Sequence, residues 1–149
     1  MKKFFLVLST VVWLFTSCEE YNRQDFNETY WFVQEYTVRS NDWQLVNGVN
    51  QLDSYYRYSF NIPELNRDIF NKGHVFCYMF QKNDAGQDVQ TLLPFIIPRG
   101  ENTNGKESLW MESYAYDFAV GKITFYFNCS DFITDVRPET TTFRVVLNY

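Results

Sequence analysis

The chain has 149 residues, with 13 Lys and Arg against 18 Asp and Glu, a formal charge of −5 at neutral pH. A negative body repels phosphate backbones and anionic lipid heads, which argues against nucleic acid as a partner and against direct binding to charged membrane surfaces. Its 15 Phe, 11 Tyr and 4 Trp favour half-buried pleated surfaces, so composition leans towards β structure before any pattern is read.

The first segment is an address. Met1, Lys2 and Lys3 precede an apolar run from Phe4 to Phe15, interrupted by Ser9 and Thr10, and Thr16-Ser17 stand directly before Cys18. That order of basic start, apolar run and small residues is that of a secretory signal peptide. The run falls short of the roughly 20 apolar residues that a spanning helix needs. The cysteine at its end makes the segment resemble a bacterial lipoprotein signal, although Phe15 stands where such signals usually carry Leu. The resemblance implies removal of residues 1–17, lipid attachment at Cys18, and an outer-membrane lipoprotein facing the periplasm or the cell surface. Glu19-Glu20 resemble the surface-export signal of Bacteroidota lipoproteins. The leader removes two lysines and no acidic residue, so the mature chain is more acidic still and its membrane attachment rests on the acyl chains. Residues 18–29 then read as a polar, lipidated tether.

From Tyr30 onwards a single domain is expected, residues 30–149. Tyr30 to Val38, rich in aromatic and β-branched residues, predicts a first strand. Ser40-Asn41-Asp42 is a turn signal, and Trp43 to Val46 a short second strand ended by Asn47-Gly48. Tyr55 to Ile62 alternates cleanly, with Tyr56, Tyr58, Phe60 and Ile62 on one face, as a half-buried strand does. Pro63 stops the ladder, and Leu65 and Ile69 predict one or two helical turns over residues 64–71, with Gly73 as the stop. His74 to Gln81 carries apolar residues on both faces, which suits a central strand. Asn83 to Gly86 is a hairpin turn and Val89 to Leu93 its return strand. Pro94 and Pro98 bracket an irregular Phe95-Ile96-Ile97, and a polar loop is expected from Arg99 to Gly105. Leu109 to Tyr116, Lys122 to Phe127 and Thr141 to Asn148 complete the strands.

Eight or so short strands with one short helix predict an all-β, two-layer β-sandwich, immunoglobulin-like or jelly-roll-like. The segments at 56–65, 89–94, 116–123 and 137–147 resemble a group of short, uncharacterised Bacteroidota lipoproteins. These are packing and turn motifs; they imply the same address and fold and bring no catalytic or ligand residues.

The chemical inventory is sparse. A triad needs a base oriented by a third group, and the single histidine, His74, shows no such set around it, so no triad is indicated. No Cys/His spacing resembles a zinc site. Residues 100–105 fail as a calcium loop, because the twelve-residue frame sets Gly100 and Met111 where carboxylates are required. No cofactor is expected. With Cys18 lipidated, Cys77 and Cys129 remain; one is mid-strand and the other at a strand end, so two free thiols are expected. Asp and Glu scattered over loops leave room for a polysaccharide or cell-wall hydrolase acting through a carboxylate pair. The favoured alternative is a non-enzymatic binding or accessory module for a glycan or an envelope protein.

A two-layer sandwich turns alternate residues of each strand outward. In 74–81 and 109–116 one alternate set is aromatic: Phe76, Tyr78 and Phe80, and Trp110, Tyr114 and Tyr116. These sets are either core or an outward face that stacks on sugar or meets a protein. The candidate contact residues are Trp110, Tyr114 and Tyr78.

Overall fold

The computed structural model describes residues 30–149; the expected leader, Cys18 and the expected tether lie outside the described residues. Among the described residues nine strands form two antiparallel sheets facing one another as a β-sandwich, as the sequence predicts. They are β1 (Trp31–Val38), β2 (Gln44–Val46), β3 (Tyr55–Asn61), β4 (His74–Lys82), β5 (Asp88–Leu92), β6 (Phe95–Thr103), β7 (Lys106–Ala119), β8 (Lys122–Cys129) and β9 (Thr141–Asn148). One sheet has the order β1-β9-β4-β5 and the other β2-β3-β8-β7-β6. Immunoglobulin order sets the first strand beside the second; here β1 lies beside β9 in full register, Trp31 opposite Asn148 through Val38 opposite Thr141. No helix among the described residues is long and apolar enough to cross a membrane.

The core is built where the two alternations meet. Phe143, Val145 and Leu147 of β9 and Ile123 and Phe125 of β8 are wholly buried. Phe125 and Phe143 stack across the sheets at 4.0 Å, 8° from parallel. The five-stranded sheet supplies most of the large inward rings, Tyr56, Tyr114, Phe125 and Phe127. The facing strand β4 therefore turns its smaller set inward, Val75, Cys77 and Met79, opposite Leu147, Val145 and Phe143. Volume complementarity of this kind is what close-packed interiors demand. Both Cys77 and Cys129 are buried, free thiols.

Several boundaries differ from expectation. The helix, α1, runs over Arg67–Lys72, later than 64–71, because the Asn66 side chain caps it by accepting from the N–H groups of Asp68 and Ile69. Gly73 ends it by donating to the Ile69 carbonyl. The second strand begins at Gln44, with Trp43 turned into the core at 1% exposure.

The largest difference is β6. Residues 95–103, expected as an irregular stretch and a loop, are a strand paired with β7 from Phe95–Tyr114 to Thr103–Lys106. Asn104 (φ 53°) and Gly105 (φ 79°) make the two-residue turn between them, the left-handed pair that matches strand twist. Pro98 is tolerated because β6 is the edge of its sheet. Strand β7 is correspondingly longer than 109–116. Its contact with β8 spans only Glu112 to Ala119, so the distal part of the β6–β7 hairpin projects as a two-stranded arm.

Candidate functional site

Two surfaces have the character of a site, and the three candidate rings divide between them. On β4 the aromatic set faces out. The register builds a continuous outer face on the four-stranded sheet: Trp31, Asn148 and His74 form one row, Val33, Val146 and Phe76 the next, and Glu35, Arg144, Tyr78 and Leu92 a third. Trp31 is 62% exposed and Phe76 39%, and Val33 and Leu92 are exposed beside them. His74 stacks on Phe76 with ring centres 6.0 Å apart.

Arg144 organises the centre of this face. Its guanidinium donates to Glu35 at 2.6 Å and to Gln90 at 2.9 Å, and lies 5.0 Å above the Phe80 ring. The Glu35–Arg144 pair cancels its own charge, leaving a flat, ring-rich, nearly neutral face on an acidic protein. Tyr78 sits half-buried in its third row, taking the outward of the two readings left open for its set.

On β7 the aromatic set faces in. Tyr114 is 7% exposed, opposite Phe127 in register, with ring centres 5.0 Å from Phe127 and 6.4 Å from Phe143. Of the two readings left open, Tyr114 takes the core one, and its candidacy as an outward contact is corrected: it is a core ring, held inward by the alternation it shares with its β8 partner. Burial pushes its phenol pKa up to about 12. Tyr116 also points in, and its hydroxyl donates to the Val75 carbonyl at 2.8 Å, joining the two sheets.

Trp110 lies between these extremes. It is half-buried at the base of the arm, where the sandwich core ends and a cleft of about 450 Å³ begins. Trp110, Tyr114 and Phe127 form the aromatic floor. Ile133, Val136 and Pro138, from the connection between β8 and β9, form an apolar wall. Glu101 and Glu112 from the arm and Asp131 and Glu139 from the connection bring carboxylates to the rim, with Arg99 and Arg137 among them. Arg99 binds Glu112 at 2.9 Å. Arg137 donates to the Trp43 carbonyl at 3.1 Å and the Asn41 carbonyl at 3.4 Å. Cys129 also borders the cleft, and burial raises its thiol pKa to about 11, so it is a poor nucleophile at neutral pH.

Tyr78 thus belongs to one sheet's outer face and Trp110 to the other sheet's inner side; the structure does not bring them together. Among the described residues no three His, Cys, Asp or Glu side chains converge as a metal site. Trp31 and Leu92 were not separable from core residues by sequence pattern. The cleft had no local signature, because its walls come from a segment read as loop and from the irregular stretch 130–140. Comparison with protein-family models, curated proteins and solved structures returns no match.

Proposed function

We propose that this chain is a lipid-anchored envelope protein, attached through Cys18, whose sandwich is a non-enzymatic module binding glycan on the outer face of the four-stranded sheet. The single observation that supports it is the face itself: Trp31 and Phe76 exposed, with Tyr78 half-buried beside them, in adjacent rows of one register on the side of the sheet away from the core. The C–H face of a pyranose ring is apolar and weakly positive and lies favourably on a π face. His74, Asn148, Gln90 and the Glu35–Arg144 pair stand between the rings as hydrogen-bonding groups for hydroxyls. A neutral face on an acidic body suits an uncharged polysaccharide.

The test is retention of the chain on insoluble and soluble polysaccharides, comparing wild type with Trp31→Ala and Phe76→Ala. Both side chains are exposed, so the variants keep their melting temperature while losing retention. Unchanged retention in both would end this reading. The anchor is tested separately. Cys18→Ala is expected to take up no acyl label and to leave the membrane fraction on washing. A hydrolase remains a second reading, favoured by the carboxylates at the cleft; release of reducing ends from a polysaccharide, abolished in Glu101→Gln or Glu139→Gln, would be its sign.

A further inference from the structure

The cleft beneath the arm has a chemistry of its own, independent of the outer face. Of its four carboxylates, Glu112 is engaged by Arg99, while Arg137 is turned to backbone carbonyls. Glu101, Asp131 and Glu139 have no salt-bridge partner among the described residues. Glu101 accepts only from the neighbouring Thr103 hydroxyl, and Asp131 from the Ile133 N–H. The mouth is therefore negative and its floor aromatic. Four carboxylates against the guanidiniums of Arg99 and Arg137 leave the lining net negative, and the rings at its base add attraction for a cation.

We propose that this cleft receives the Lys or Arg side chain of a partner polypeptide. The charged head sits among Glu101, Asp131 and Glu139, and the aliphatic stem lies along Trp110 and Val136. The apolar wall of Ile133, Val136 and Pro138 decides for a side chain over an amino sugar. A pyranose is apolar on its C–H faces but carries hydroxyls all along its edge, whereas a lysine stem is apolar on every side below its head and so meets the ring floor and the apolar wall at once. The acidic surplus of the whole chain favours the approach of a basic partner.

The wall is fixed before any ligand arrives. Thr134, 2% exposed, ties the connection to the β2–β3 loop through Asn50, and its carbonyl accepts the Tyr56 hydroxyl at 2.6 Å. A preformed cleft loses little freedom on binding.

The experiment uses the full chain and three probes: a blocked glycine pentapeptide with a central lysine, the same peptide with norleucine, and a glucosamine oligomer. Binding is followed by calorimetry at low and moderate salt. The lysine peptide is expected to bind at least about tenfold more tightly than the norleucine peptide, and to weaken as salt rises. Asp131→Asn with Glu139→Gln should abolish that preference, while Asp84→Asn, on the distant β4–β5 turn, should leave it unchanged. Melting temperature is checked for each variant, and Trp110→Ala provides a second, uncharged probe of the floor. Equal binding of the lysine and norleucine peptides, or binding of neither, overturns the proposal. Tighter binding of the glucosamine oligomer than of the lysine peptide overturns it in favour of an aminated glycan.

Discussion

Asn50 and Thr134, 84 positions apart, exchange two hydrogen bonds: the Thr134 N–H donates to the Asn50 side-chain oxygen at 2.6 Å, and the Asn50 N–H donates to the Thr134 hydroxyl at 2.9 Å. This reciprocal clasp holds the long β8–β9 connection against the β2–β3 loop, and so holds the wall of the cleft. Thr134→Val keeps the shape and removes the acceptor, leaving the Asn50 N–H without its partner. The bond is part-buried and water can reach Asn50, so its loss costs about 0.5–1.5 kcal/mol. Urea denaturation of Thr134→Val should show a loss in that range. Asn50→Ala should lose more, because Asn50 also holds φ at 51°, where alanine is strained.

Most of the sandwich was legible because its strands alternate. Tyr55–Asn61 and Thr141–Asn148 carry a period of two that only a half-buried strand explains, and both fall where expected. β6 escaped because Pro98, Gly100 and a run of polar residues carry no apolar alternation. An edge arm exposed on both sides has no buried face to write into its sequence. The legible signal was local: Asn104-Gly105 is a two-residue hairpin turn, and a turn of that type requires a strand on each side. The orientation of β4 was not legible, since both of its alternate sets are apolar. It is decided across the sandwich, by how much room Phe125, Phe127 and Tyr114 leave for the facing side chains.

The two candidate rings of β7 should separate cleanly on truncation. Tyr114→Ala empties a site packed by Phe127 and Phe143, and large aromatic truncations in cores cost about 3–5 kcal/mol. Trp110→Ala, at the half-buried base of the arm, should cost markedly less. Equal losses by thermal or denaturant unfolding would mean that the arm is as tightly packed as the core.

Gly73 is required for proximity, not for an unusual φ. A Cβ built there would stand 2.7 Å from the Asn148 carbonyl oxygen and 2.9 Å from that of Ile69. Both are backbone atoms, so Gly73→Ala must shift either the end of α1 or the end of β9. Overpacking of this sort costs about 1–3 kcal/mol. Because Asn148 is also paired with Trp31, the shift should spread to the outer face, and hydrogen exchange at β1 and β9 amides should quicken in the variant. Protection confined to wild-type levels there would show that the helix end alone gives way.

Stability should fall on the alkaline side, and the groups responsible can be named. Burial raises the thiols of Cys77 and Cys129 above their ordinary 9.0 and the phenol of Tyr114 from 10.0 to about 12. Each is neutral when protonated, so the folded state holds the proton to a higher pH than the unfolded chain does. Their contribution is fully present below the unfolded pKa values and is lost as pH rises through the folded ones. The fall should begin near pH 9 with the thiols and steepen above pH 10 as tyrosine joins. Tyr114 is almost wholly buried, so its share approaches roughly 1 kcal/mol for each pH unit between 10 and 12. Tyr114→Phe keeps the ring and removes the ionisation. Its stability, measured by denaturant unfolding from pH 9 to 11.5, should match the wild-type slope up to pH 10 and be shallower beyond it. Parallel curves across the whole range would mean that the phenol ionises as readily in the folded sandwich as in the unfolded chain, and would remove Tyr114 from the core.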